Sequence, residues 1–218
     1  MRKKVVVIDY KLGNLFSVNQ ALLNVGLDVT ISSEKNDLME ADALVLPGVG
    51  AFQDAMDNLT NLELVDILEQ KVVVERTPLL GICLGLQLLF SSSEEFGNSK
   101  GMGFVDGTVK RFKNTDENGN KVRVPQIAWN TIEEKSLHAW QGTPLGTIKN
   151  NADMYFVHSY YVEPANDDVV LSTTNYGDIK YCSSIVQDNI FACQFHPEKS
   201  AKEGLKIYKN WSELNNLY

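Results

Sequence analysis

Within the first 90 residues, short apolar runs alternate with stretches whose apolar residues recur at helical spacing. KVVVID leads into NLFSVNQALLNVG. LDVTIS and DALVLPG follow, then AFQDAMDNL and LELVDILEQKVV, then PLLGIC. The short runs are too brief for helices and alternate with helical stretches. That pattern marks strands covered on both faces. Strands separated by helices predict an α/β fold with a mostly parallel central sheet flanked by helices, joined by right-handed crossovers. Gly26 stands where the first helix should stop.

After about residue 100 the texture changes. GFVDGTVKRF, VRVPQIAWNTI, MYFVHSYYV, VVLSTTNYG, YCSSIVQD and NIFACQF are β-like runs, with turn residues such as DENGN, PANDD and QDN between them. These predict antiparallel strands added to the sheet or beside it. SAKEGLKIYKNWSELNNL reads as a closing amphipathic helix with Ser200 as its N-cap. No repeat, low-complexity segment or linker interrupts the chain, so one domain over 1–218 is expected.

Composition excludes several classes of function. The net charge is −8, which repels phosphate backbones and anionic lipid, so neither nucleic acid nor a membrane is an expected partner. No apolar run approaches the roughly 20 residues needed to span a bilayer. The start, MRKKVVVIDY, has too short an apolar core for a signal peptide and reads as a buried strand. The 3 cysteines suggest no disulfide framework, and reduced thiols in a cytoplasmic protein are expected. No His, Cys and Asp cluster has metal-ligand spacing, so no metal or other cofactor is expected.

Cys83 is the residue the chain sets apart. In GICLGLQLLF it lies between Gly81 and Gly85, where the strand PLLGIC should end and a helix should begin near Leu84. A side chain at such a corner projects at the carboxyl edge of the sheet, where ligand sites of open α/β sheets lie. The flanking glycines let the backbone pass close. The positive end of the helix favours a thiolate, and the Leu84 amide points to where an oxyanion would form. By itself the five-residue core GICLG is equally consistent with a buried structural cysteine between two incidental glycines.

A nucleophilic thiol needs a base and a group to orient that base. The chain has 3 histidines. His138, in KSLHAWQG, reads as a loop residue. His158, in YFVHSYYV, reads as a pocket or structural residue with no carboxylate adjacent in sequence. His196, in NIFACQFHPEKS, ends an apolar strand, and Glu198 follows two positions later. On an extended backbone these two side chains share a face, so the carboxylate can hold one ring nitrogen while the other meets the thiol. A surface His–Glu pair is the competing reading of the tripeptide alone. A second glycine cluster, Pro47-Gly48-Val49-Gly50, closes the third strand and offers further amides, or is simply a tight strand-to-helix turn.

Taken together these residues resemble the class I, triad-type glutamine amidotransferases. GICLGLQLLF matches the family's nucleophile elbow and FHPEKS its histidine–glutamate element. PGVGAF, YFVHSYY and DYKLGNLFSV are similar to the glutaminase subunits of imidazole glycerol phosphate synthase. The resemblance runs through the whole chain and implies a flavodoxin-like fold with glutamine as substrate. It implies Cys83 as nucleophile, His196 as base and Glu198 as its orienting partner. Leu84, Val49 and Gly50 would form the oxyanion hole. Gly48, Gln87, His158, Ser159 and Tyr160 would line the substrate pocket, and Gln126 and Lys199 would face the partner. That partner would be a (β/α)8 cyclase, which receives ammonia to make imidazole glycerol phosphate and an aminoimidazole carboxamide ribonucleotide. A peptide flip at Gly48–Val49–Gly50 is the expected switch.

Three positions depart from the family pattern. Lys11 stands where glycine is usual, and VPQIAWN has Gln126 and Ala128 where histidine and glycine are common. These bear on partner and acceptor rather than on glutamine hydrolysis. The alternatives are the same glutaminase serving amidination of a surface-polysaccharide sugar, a silent scaffold that kept the fold, and a peptide-cleaving cysteine hydrolase. The silent scaffold fits poorly with a chain that retains Cys83, His196 and Glu198. Cys182 and Cys193 read as core thiols, and Trp129, Trp140 and Trp211 as packing or interface residues.

Overall fold

The computed structural model describes residues 3–218. The first half contains strands β1 (Lys4–Ile8), β2 (Asp28–Ser32), β3 (Ala43–Leu46), β4 (Leu79–Ile82), β5 (Phe90–Ser93) and β6 (Ser99–Lys100). The second half adds β7 (Val105–Arg111), β8 (Gln126–Glu134), β9 (Ala152–His158), β10 (Tyr160–Pro164), β11 (Val170–Tyr176), β12 (Ile179–Gln187) and β13 (Ile190–Cys193). The principal helices are α1 (Leu15–Asn24), α2 (Lys35–Met39), α3 (Phe52–Asn61), α4 (Val65–Leu68), α5 (Leu84–Leu88) and α6 (Ala201–Leu214). A π-helical turn, Glu69–Val74, continues α4.

The sheet runs β2-β1-β3-β4-β13-β12-β10-β7-β5-β6, with β11, β8 and β9 branching from β12. The pairs β1–β2, β1–β3 and β3–β4 are parallel, as the alternating first half requires. The antiparallel expectation for the second half holds for most strands but fails at two. β13 lies parallel to β4, with Cys193 opposite Ile82, so NIFACQF belongs to the centre of the parallel sheet. β5 and β7 are also parallel. A four-residue apolar run carries no sign of its direction, and only its docking against β4 fixes it.

Alternate residues of the central strands feed two cores, which explains the unbroken apolar runs. Val6, Ile8, Leu44 and Leu46 pack with Phe52, Ala55 and Leu59 of α3. Val5, Val7, Val45, Leu80 and Ile82 pack with Val18 and Leu22 of α1 and with Ile207, Tyr208 and Trp211 of α6. Gly26 ends α1 as its sequence suggested. It has φ of 92°, and the Gly26 and Leu27 amides return to the carbonyls of Leu23 and Leu22, a Schellman closure. Ser200 does precede α6 but does not cap it. Its hydroxyl donates to His196 O and accepts from the Tyr155 amide. Among the described residues no helix is long and apolar enough to cross a membrane.

Lys11 has φ of 70°, in the left-handed region. Glycine takes that conformation without the side-chain penalty of about 1–2 kcal/mol, so the departure at this position has a physical cost. Asp9 offsets part of it by accepting the Lys11 amide.

Candidate active site

β4 and β13 lie side by side, and the two elements of the site leave their adjacent carboxyl ends. Cys83 follows β4 directly. Its amide donates to Cys193 O at 2.8 Å, which extends the strand pairing by one residue. The chain then turns sharply, with Cys83 at φ 54° and ψ −107°, a conformation that L-residues hold only under constraint. Neighbouring glycines make the corner possible. A Cβ on Gly85 would lie 1.9 Å from Leu46 O, and one on Gly81 would lie 2.8 Å from the Ala192 Cβ. α5 spans only Leu84–Leu88, shorter than the apolar run suggested.

His196 follows β13 and is 1% exposed. Its Nδ1 lies 2.7 Å from Glu198 Oε1, and both side chains are almost wholly buried. Extended-strand alternation predicts this pairing, but the backbone achieves it differently. His196 is extended, while Pro197–Lys199 form a 3-10 turn that carries Glu198 back under the ring. The other ring nitrogen, Nε2, is buried with no hydrogen-bond partner among the described residues, and Cys83 is near enough for its charge to act on the ring. Burial alone lowers the imidazole pKa. The charge of nearby Cys83, together with Glu198, outweighs it and raises the value to about 10. The arrangement thus favours the protonated imidazole beside Cys83. Tyr208 brings its buried hydroxyl against Glu198 from α6, and burial and that carboxylate both push its pKa up.

A cavity of about 270 Å³ opens over the sulfur, lined by Val49, Gly50, Cys83, Leu84, Gln87, Glu95, Pro125, Val157, His158, Ser159 and Tyr160. All the residues named from the sequence as pocket or oxyanion-hole residues line it except Gly48. Gly48 instead presents its carbonyl to the Leu84 amide at 3.4 Å. In this conformation the Leu84 donor is occupied by the chain itself. Gln87 lines the cavity but is 5% exposed, and its Nε2 is committed to Tyr160 O and Gln194 Oε1, both at 3.0 Å.

His158 is held internally. Its Nδ1–H donates to Tyr160 O at 2.7 Å, and Nε2 lies 3.3 Å from the Tyr181 hydroxyl. Burial, aided by the charge of His196, lowers its pKa to about 4 despite the Tyr160 carbonyl. The ring is therefore neutral, in keeping with a pocket or structural residue.

Gln126 departs from expectation. It is fully buried and receives the Tyr181 hydroxyl at 3.1 Å, so it cannot meet a partner. Its neighbours Ile127 and Trp129 face outward instead, 56% and 52% exposed. Lys199 is exposed as expected, with Nζ 5.8 Å from the centre of the Tyr155 ring, within cation–π range.

Glu95 and Gln194 join the site without any signal in the sequence. Glu95 is the carboxylate lining the cavity. Its Oε2 accepts the Phe52 amide at 2.6 Å, and partial burial raises its pKa. Gln194 touches the Cys83 sulfur. Neither has a local motif, because each meets the site through long-range folding.

An elbow thiol, a buried carboxylate-held imidazole and a glycine-rich turn at one sheet edge are the parts that a cysteine-dependent acyl-transfer centre requires. The chain belongs to the class I glutamine amidotransferases: the family model "Glutamine amidotransferase class-I" matches residues 6–212. Within the family, it is 44% identical to the imidazole glycerol phosphate synthase subunit HisH of Bacillus subtilis, over 95% of each chain. Identity to the subunit of the same name from Syntrophotalea carbinolica is 43%, covering 96% of this chain and 100% of that one. Among solved structures, PurLQS from Thermotoga maritima superposes with a TM-score of 0.71 at 16% identity, covering 98% of this chain and 99% of that one. The glutaminase domain of Trypanosoma brucei CTPS gives 0.65 at 16% identity, covering 98% and 94%. At those identities the likeness concerns the fold.

Proposed function

We propose that this chain, a single domain over 1–218, is the glutaminase subunit of imidazole glycerol phosphate synthase in histidine biosynthesis. It hydrolyses L-glutamine to glutamate and ammonia and passes the ammonia to a (β/α)8 cyclase partner in the cytoplasm. The observation that carries the chemistry is that Cys83 and His196 follow the adjacent carboxyl ends of β4 and β13, with His196 Nδ1 held by Glu198 at 2.7 Å. The pathway rests on near-full-length identity to relatives that bear that subunit's name.

The geometry supports the following steps. Cys83 Sγ, its proton taken by His196, attacks the side-chain carbonyl carbon of glutamine. The carbonyl π bond becomes an oxyanion, held by the Leu84 amide and an amide of the Val49–Gly50 turn. The oxyanion collapses, the C–N bond breaks, and His196 returns the proton to the departing ammonia. Water, deprotonated by His196, then cleaves the thioester and releases glutamate. Glu95, the cavity's carboxylate, is suited to the substrate ammonium.

The Gly48 carbonyl on the Leu84 amide supports a gated site, because a peptide turn at Gly48–Val49 must free the donor first. Exposed Ile127 and Trp129, near the Lys199–Tyr155 pair, supply an apolar surface for the cyclase. The departure at Gln126 is internal and gives no reason to prefer a sugar acceptor. The test is glutamine turnover by the isolated chain, with the cyclase, and with cyclase plus its phosphorylated acceptor. Turnover is expected to rise by about 10² or more on assembly and to vanish in Cys83→Ala. Full activity of the isolated chain would remove the gate, and activity in Cys83→Ala would remove the mechanism.

A further inference from the structure

Gln194 is completely buried between β13 and His196, and its backbone amide is anchored to Ser183 O at 2.9 Å. Its side chain bridges two residues of the elbow. Gln194 Oε1 accepts from Gln87 Nε2 at 3.0 Å, and Gln194 Nε2 lies 3.6 Å from Cys83 Sγ.

The orientation of this bridge is fixed by elimination. Gln87 Nε2 also meets Tyr160 O at 3.0 Å. A backbone carbonyl only accepts, so the amino group of Gln87 must be the end pointing there. That same group then donates to Gln194, whose oxygen must receive it. The amino group of Gln194 is left facing the sulfur. An amide N–H₂ donates and does not accept, so this contact rewards sulfur as an acceptor, and most of all as an anion. In a water-poor site such a donor counts for more than it would at the surface.

We propose that Gln194 is a second, neutral stabiliser of the Cys83 thiolate, acting from a different residue than His196 and oriented by Gln87. This deepens the reading of Cys83 as the nucleophile and rests on it. Gln194 exchanges no proton with the sulfur. It stabilises the anion before attack and again when water cleaves the thioester and the sulfur is released.

Alkylation of Cys83 by iodoacetamide in the full chain, followed by peptide mass across a pH series, tests this without requiring turnover. Gln194→Met removes the donor at similar length. The expected result is a roughly tenfold slower reaction near neutral pH and a rate profile displaced about one unit to higher pH. Gln87→Met, which releases the orienting contact, should displace it in the same direction but less. A Gln194→Met profile that superimposes on the wild-type one, in protein with unchanged circular dichroism, would overturn the proposal. Should that variant not fold, NMR of glutamine-¹⁵N-labelled wild-type protein decides. The Gln194 side-chain amide protons must shift with pH along the alkylation profile, and protons that stay still overturn the proposal equally. A wild-type Cys83 that does not react at any pH would instead sink the nucleophile reading beneath it.

Discussion

The amide of Leu84 is held by the carbonyl of Gly48 at 3.4 Å, across the mouth of the Cys83 elbow. Two glycines make the facing turn possible. A Cβ on Gly48 would sit 2.3 Å from the Tyr10 hydroxyl, and Gly50 has φ of 114°. The hydroxyl of Tyr10 is itself pinned to Pro47 O at 2.6 Å, so the strand end is anchored while the next two peptides retain glycine freedom. Gly50→Ala is therefore expected to restrict the turn. Glutamine turnover in the assembled complex should fall about a hundredfold, the worth of one oxyanion donor, with KM little changed. Unaltered turnover would show that the turn does not move during activation.

Cys83 holds φ of 54° with a full side chain. Strain at such a position costs on the order of 1–3 kcal/mol, and the added chain entropy of glycine returns about 0.5–1. Cys83→Gly should therefore be more stable than Cys83→Ala by about 1 kcal/mol, both being inactive. Urea denaturation of the two variants compares them directly. Equal stabilities would mean that the elbow is relaxed rather than held under load.

Gly85 packs its Cα against the end of β3, where a Cβ would fall 1.9 Å from Leu46 O. Backbone offers no rotamer by which to escape. Gly85→Ala should cost about 3 kcal/mol or more, visible as a lower urea midpoint, or as failure to accumulate folded protein. A loss under 1 kcal/mol would show that β3 and α5 can separate easily.

Burial lowers the pKa of His158 from its ordinary 6.5 to about 4. The unfolded chain thus takes up this proton before the folded one does. The stability contribution is complete above 6.5, shrinks as pH falls and is gone below about 4. Between pH 7 and pH 5 the loss is about 2 kcal/mol. His196 acts with the opposite sign. Cys83 and Glu198 outweigh its burial and raise it, so its contribution is full below 6.5 and disappears as pH climbs through about 10. Urea midpoints at pH 7 and pH 5 should fall further apart in the wild type than in His158→Asn. Identical pH dependence would mean that the ring titrates freely in the native state.

Different parts of this molecule are legible in its sequence to different degrees. The central strands can be read because burial on both faces leaves unbroken runs such as VVVI. Cys83 can be read because a tight corner demands glycine on each side of it. His196 and Glu198 pair as strand alternation predicts but for another reason, since a 3-10 turn brings them together. In VPQIAWN, alternation says only that Gln126 lies opposite Ile127 and Trp129, not which side is inside. Tyr181 and His158 create a polar niche for Gln126, and the apolar pair is left outward. Glu95 and Gln194 carry no local signature at all. Their contacts are with residues distant in sequence, Phe52 in one case and Cys83 in the other.

The parallel docking of β13 against β4 carries a consequence for biosynthesis. Cys83, after β4, leaves the ribosome well before His196 and Glu198, which follow β13. A growing polypeptide can build most of its early βα units and still be chemically inert. On the proposed reading, it cannot spend glutamine until β13 has slotted into the middle of the sheet beside β4.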